Sequence, residues 1–255
     1  MRGPRSLPLA LTLIVAMAAP GGAWAARPFQ DWAAVVAAGD DHAAHTGQLT
    51  ETFDNARRGI AAALMRKGFA RAHIRQFSVR PERYPEADPA RVGPAAMFAG
   101  LRDLAVRAPG GCLIYLTSHG EPGGAVAGEG LLTPRRLAAL VDRACPARPT
   151  LIVVSACFSG VFVPALAAPD RMVLTAARRD RSSFGCGEGD TYPFFDGCVL
   201  EALPGARDFI DLVPRVRACV ERRERVEHMR PPSQPQAFVG PEFRLRIPPF
   251  DPIPG

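Results

Sequence analysis

The chain has 255 residues, of which 47% are hydrophobic and 22% charged, and these proportions exclude disorder as its main state. Its formal net charge is +6 at pH 7. Lys67 is the only lysine, and the arginines lie beside acidic residues in predicted helices, as in residues 221–227. We therefore expect ion-paired helix surfaces rather than a stripe that binds nucleic acid.

Residues 1–25 contain the features of a secretory signal peptide in their usual order. Arg2 and Arg5 precede an apolar run over residues 7–19, and small residues follow at positions 23 and 25. The run of about 13 residues is shorter than the ~20 needed to span a bilayer. We expect an exported protein, periplasmic or secreted, without stable membrane insertion after signal removal. It should be active without large-scale processing.

The remaining chain alternates predicted strands and helices. Strands are predicted over residues 33–38, 74–79, 112–117, 150–156, 172–176 and 236–239. Helices are predicted over residues 52–67, from 94 to just before 109, 134–144 and roughly 208–228. This alternation implies right-handed crossovers and a three-layer α/β/α sandwich around a mostly parallel sheet. We predict one domain over residues 26–240 and an extended, Pro-rich tail over residues 241–255.

Six cysteines in an exported chain favour disulfide bonds. Cys112 opens a predicted strand, and Cys145 closes the helix that precedes the next strand. Both should lie at the same edge of the sheet, so we predict that they form a disulfide. Cys186 either pairs with Cys198 or is free.

Two predicted strands that are consecutive in the sequence end in reactive side chains. One runs into His119 and the next into Cys157. Functional groups of such sheets collect beyond the carboxyl ends of the strands. A cysteine nucleophile needs an accessible thiolate, a nearby imidazole and amide donors for the oxyanion. We therefore predict Cys157 as nucleophile, His119 as its proton-transfer partner, and the backbone amides of Gly120 and Cys157 as oxyanion donors.

A polar loop follows the first predicted strand. It contains Asp40, His42 and His45, which should border the same sheet edge and could shape a substrate pocket. His42 and His45 also have the spacing of half a metal site. The chain lacks a second half with proper ligand spacing, so we expect no metal or other cofactor.

The segments 118–120 and 155–160 resemble the catalytic histidine and cysteine motifs of legumain-like peptidases of family C13. Segments 181–186, 191–192 and 232–236 are similar to those that follow in the same family. The resemblance extends from about residue 33 to 239. It implies a caspase-like fold of clan CD, a bacterial exported-type member, and hydrolysis of peptide or protein substrates through a thioester acyl-enzyme. Family members often cleave after asparagine, and some transfer the acyl group to an amine.

Three departures from the eukaryotic legumains concern substrate specificity. Ser118 and Arg181 stand where those proteins have acids, and Asp196 and Gly197 exchange the usual order. If Arg181 faces the pocket, acidic or neutral polar residues are favoured at P1. If Asp180 or Asp196 faces it, asparagine or a basic residue is favoured at P1. The candidate substrate-binding residues are Asp40, His45, Ser155, Asp180, Arg181, Ser182, Ser183 and Asp196.

Two alternative functions remain open at this point. One is a transpeptidase that uses the same dyad, and the other is an inactive relative that binds peptides in the same cleft. The sequence leaves the oligomeric state open.

Overall fold

The structure is a computed structural model that describes Gly3 and residues 28–250. Apart from Gly3, the predicted signal peptide lies outside the described residues.

Seven strands form the central sheet, in the order β10-β9-β8-β4-β1-β2-β3. All neighbouring pairs are parallel except β9 and β10. Strands β5, β6 and β7 form a small antiparallel sheet after β4. The strands are β1 (Trp32–Ala38), β2 (Ile74–Ser78), β3 (Ala90–Arg91), β4 (Gly111–Thr117), β5 (Gly120–Glu121), β6 (Gly124–Ala127), β7 (Gly130–Leu132), β8 (Thr150–Ser155), β9 (Arg171–Thr175) and β10 (Gln236–Val239).

Helices cover both faces of the central sheet, which confirms the predicted three-layer α/β/α fold. Apolar side chains of α1, α5 and α6 pack on one face, and those of α2, α3 and α4 pack on the other. Successive side chains of each strand point to opposite faces, and both faces are covered, so β1, β4 and β8 are buried throughout. The helices are α1 (Thr52–Arg66), α2 (Pro94–Arg107), α3 (Pro134–Ala144), α4 (Phe162–Leu166), α5 (Phe194–Ala202), α6 (Phe209–Val226) and α7 (Pro241–Arg246).

The C-terminal segment differs from the predicted extended tail. Residues Pro241–Arg246 form α7, and Pro241 occupies a first helical position, where its missing N–H costs nothing. Phe243 is fully buried, and Phe250 packs in the same core. The domain therefore continues past residue 240, because these two aromatic side chains complete its apolar core. Helices α4 and α5 are also absent from the predicted elements.

Two disulfides link elements of the domain. Cys112 and Cys145 form the predicted bond, which joins the start of β4 to the end of α3. Cys198 pairs with Cys219 and joins α5 to α6, so the possible Cys186–Cys198 bond is wrong. Cys157 and Cys186 are free thiols.

Ion pairs account for part of the positive charge on α6. Arg222 and Arg223 contact the carboxylate of Glu201 at 2.7 and 3.2 Å. These contacts agree with the interpretation of this helix as an ion-paired surface. Among the described residues, no helix is long and apolar enough to cross a membrane.

Candidate active site

The two reactive side chains follow neighbouring strands of the central sheet. Thr117 ends β4 and is the register partner of Ser155, which ends β8. His119 and Cys157 each follow two residues later. The parallel pairing therefore brings both to the carboxyl edge of the sheet, side by side.

Gly120 allows the two strand ends to meet. A Cβ atom at this position would lie 2.2 Å from the carbonyl oxygen of Cys157 and 2.9 Å from the Cβ of Ala156. Any residue other than glycine would force the two segments apart. The backbone after His119 is consequently packed against the backbone at Cys157, near both amides expected to bind an oxyanion.

The imidazole of His119 is oriented by one hydrogen bond and one aromatic contact. Its Nε2 lies 2.8 Å from the backbone oxygen of His42. Phe53 contacts the ring edge to face, with the centroids 5.0 Å apart. A carbonyl oxygen only accepts hydrogen bonds, so Nε2 carries the hydrogen and Nδ1 is the acceptor of the neutral ring.

The Cys157 thiol is half-buried and contacts the loop that follows β9. The Ser183 N–H donates to Sγ at 3.3 Å, and the Ser183 carbonyl oxygen lies 3.5 Å from the same sulfur. Phe158 has a left-handed backbone with φ of 58°, and its N–H donates to the carbonyl of Arg181 at 2.7 Å. Residues 181–183 thus hold Cys157 and the turn behind it.

Within residues 28–250, no hydrogen bond joins Sγ of Cys157 to the His119 ring. Catalytic hydrogen bonds are often long without substrate and shorten in the reacting complex. The acceptor that would receive a proton is Nδ1, because Nε2 is engaged by His42.

The charges of the loop after β9 are mostly paired. Arg178 binds Asp180 at 2.5 and 2.8 Å, and Arg181 binds it at 3.0 Å. The hydrogen bond from Arg178 lowers the pKa of Asp180. Ser182 is exposed. Since two guanidinium groups share one carboxylate, residues 178–181 of this loop carry net positive charge.

Ser155 and Asp196 are buried, which disagrees with the expectation that they bind substrate. The Ser155 hydroxyl donates to the Asp196 carboxylate at 2.7 Å. Tyr115 and Thr117 donate to the same carboxylate at 2.5 and 2.8 Å. Burial raises the pKa of Asp196 to about 6, against the effect of these three donors. Asp196 lies on helix α5, which holds its side chain against the ends of β4 and β8.

The loop after β1 reaches the site through its backbone. Asp40 accepts a hydrogen bond from the His42 ring at 2.9 Å, which raises the pKa of His42. Asp41 binds Arg80 at 3.0 Å, and His45 is exposed. Asp40, Asp41 and His42 bring potential metal-ligand atoms within 4.8 Å of one another, whereas the predicted pair of His42 and His45 does not form such a group.

Sequence patterns did not identify several residues of the site. Phe53 gave no signal beyond its apolar place on a helix, and the carbonyl of His42 could not be identified from side-chain type. Tyr115 and Thr117 were assigned only to an apolar strand, although hydroxyl groups in a buried run could have indicated a polar partner.

Comparison with known proteins supports the interpretation of the two strand ends. The model of the peptidase C13 family matches residues 104–197, which include His119 and Cys157. The fold is similar to the crystal structure of caspase-1 from Spodoptera frugiperda, with a TM-score of 0.58 and 16% sequence identity. That match covers 84% of this chain and 87% of the caspase chain. No curated protein sequence matches this chain significantly.

Proposed function

We propose that this chain, whose fold is caspase-like, is a cysteine-type peptidase in which Cys157 is the nucleophile and His119 the general acid and base. The observation that carries the proposal is the meeting of their two strand ends, where the Gly120 backbone packs against Cys157. The partly exposed thiol and the hydrogen-bonded imidazole support the same roles.

The first half of the reaction forms a thioester. Nδ1 of His119 takes the proton of the Cys157 thiol, and the resulting thiolate attacks the carbonyl carbon of the substrate. A C–S bond forms while the carbonyl oxygen gains negative charge. The amides of Gly120 and Cys157 stabilise that oxygen. As the C–N bond breaks, His119 donates a proton from Nδ1 to the leaving amine.

The second half releases the acyl group. Nδ1 of His119 takes a proton from water, whose oxygen attacks the thioester carbon. The C–S bond then breaks and the new carboxylic acid leaves. The Ser183 N–H, which lies 3.3 Å from Sγ, favours the departing thiolate because an anion is the better hydrogen-bond acceptor.

The charge around the site favours an acidic or neutral polar P1 residue. Asp196 is buried, and Asp180 is bound by two arginines, so neither carboxylate is free to attract a basic side chain. Arg181 lies in the loop that holds Cys157. These contacts support the arginine alternative over the aspartate alternative.

Export to an oxidising compartment agrees with the cysteine pairing. The Cys112–Cys145 and Cys198–Cys219 bonds are of the kind that persists outside the cytosol. Together with the signal-like sequence of residues 1–25, they support a periplasmic or secreted enzyme.

The test uses a peptide mixture that represents every P1 residue, incubated with the mature protein and with Cys157→Ala. Cys186→Ala is the matched control, since Cys186 is the other free thiol of the described chain. We expect cleavage by the wild type and by Cys186→Ala, and none by Cys157→Ala. Cleavage that survives Cys157→Ala would overturn the proposal. With an added amine, amine-capped products would identify a transpeptidase.

A further inference from the structure

A buried carboxylate connects the two strands that carry the proposed catalytic residues. Asp196 lies in the first turn of α5 and is fully buried. Its Oδ2 accepts hydrogen bonds from Thr117 at 2.8 Å and from Ser155 at 2.7 Å, and its Oδ1 accepts one from Tyr115 at 2.5 Å. One oxygen atom therefore bridges the last residues of β4 and β8.

The bridge lies directly behind the proposed catalytic pair. Thr117 and Ser155 are register partners, and each precedes its reactive residue by two positions. We propose that Asp196 is a positioning residue, which sets the relative placement of His119 and Cys157 by tying the two strand ends together. This inference rests on the proposed function of that pair.

The three hydroxyl donors are the main groups that stabilise the Asp196 carboxylate. Tyr115 is the titratable group that faces it from β4, and burial together with Asp196 raises the pKa of that phenol. On α6, Arg223 lies against Gly197 rather than Asp196 and is bound to Glu201. A buried carboxylate with no cation beside it is stabilised by its hydrogen-bond donors. The loss of one donor therefore costs free energy.

Helix α5 is itself held firmly enough to act as the fixed side of the bridge. The Cys198–Cys219 disulfide, two residues beyond Asp196, joins α5 to α6. Phe195 and Val199 pack in the core beneath the sheet. The carboxylate is thus anchored covalently and by packing, while the two strand ends are held to it by hydrogen bonds.

The experiment removes each donor with little change of shape. Thr117→Val and Ser155→Ala are compared singly and together, and Thr117→Ser restores the hydroxyl. We expect each single change to lower kcat about tenfold with KM within about twofold, because misplacement of reacting groups acts mainly on the chemical step. The kcat of the double variant should be no more than about twofold below that of the less active single variant, because either change alone breaks the same bridge.

A stability control separates positioning from general destabilisation. Cys112→Ala with Cys145→Ala removes the disulfide at the opposite edge of the sheet and should lower the melting temperature without lowering kcat. Rescue by Thr117→Ser and non-additivity of the pair support the positioning role. A kcat that follows the melting temperature across all variants, or additive losses, would overturn it.

The rate of Cys157 alkylation by iodoacetamide, measured in a Cys186→Ala background, distinguishes the two proposals. A wild type that turns over no peptide overturns the proposed function. The alkylation rate then still decides the inference: rates changed by Thr117→Val and Ser155→Ala but not by Thr117→Ser support it, and equal rates contradict it.

Discussion

The two edges of the central sheet contain different kinds of interaction. At the amino edge, the Cys112–Cys145 disulfide closes the structure, and Trp32 packs so tightly on Gly111 that a Cβ there would lie 2.5 Å from the indole. At the carboxyl edge, a carboxylate is buried without a cation, and the buried Ser118 hydroxyl has no hydrogen-bond partner among the described residues.

This difference separates stability from chemistry within one sheet. Apolar contact and a covalent bond stabilise the amino edge, whereas the carboxyl edge carries polar groups whose burial costs free energy. Such costs are expected where a site must hold reactive groups in a fixed arrangement. Changes at the carboxyl edge should therefore affect activity first, and changes at the amino edge should affect stability first.

The largest expected effect is the loss of His119. His119→Ala should lower kcat/KM about 10³-fold, equivalent to about 4 kcal/mol, because proton transfer to the leaving amine is lost. The melting temperature should change little, since the ring is only partly buried. Steady-state kinetics with the best peptide from the mixture provide the measurement.

His73→Ala is the matched control for that change. His73 precedes β2 at the amino edge and contacts the Gln30 carbonyl at 2.7 Å. Its removal should leave kcat/KM unchanged. Equal losses in the two histidine variants would contradict the division between the edges.

The disulfide at the amino edge should show the reverse pattern. Replacing both Cys112 and Cys145 by alanine should lower the free energy of unfolding by about 3.7 kcal/mol in the chain-entropy treatment of a loop of this size. The sequence separation is 33 residues. Urea unfolding measures the loss, and turnover at a temperature where the variant is folded should be that of the wild type. A large fall in kcat there would show that the two edges are coupled.

The sequence predicted these two regions to different depths. Cys112, Cys145, His119 and Cys157 all lie at ends of strongly apolar strands or of a well-capped helix, so topology alone brought each pair together. The same argument failed for Asp196. Its helix has nine residues, begins after Pro193 and contains Gly197, and none of these features signals a helix locally.

Burial of Asp196 is a property of tertiary packing. A pattern shows that an aspartate follows two phenylalanines, but only the packing of α5 beneath β4 and β8 shows that three hydroxyls meet it. Backbone groups are equally hidden from sequence reasoning: the His42 carbonyl and the Ser183 amide contact the two reactive side chains, whatever residue stands at those positions.

The pH dependence of stability should identify the cost of burying Asp196. Its pKa is about 6 in the folded protein and 3.8 in its ordinary state. The folded state therefore binds the proton more tightly, so this group's contribution to stability falls as the pH rises from about 4 through about 6. At about 1.4 kcal/mol per pKa unit, the full change is about 3 kcal/mol.

Asp196→Asn should remove this dependence. We expect the difference in unfolding free energy, wild type minus variant, to fall between pH 4 and pH 7, as measured by urea unfolding at several pH values. A difference that is constant or rises with pH would show that the folded protein does not favour the protonated carboxyl group.

The smallest expected effect concerns specificity at the carboxyl edge. Arg181→Glu should reduce the preference for acidic over basic P1 residues about tenfold in kcat/KM, because it reverses a charge beside Cys157. The turn behind the nucleophile should persist, since Phe158 binds the backbone carbonyl of residue 181 rather than its side chain. Arg179→Glu makes the same change in net charge at an exposed position two residues earlier. A change in this preference that is confined to Arg181→Glu would place that side chain at the P1 pocket. Equal changes in both variants would assign the preference to the overall electrostatic field of the loop. An unchanged preference in both variants would exclude both explanations.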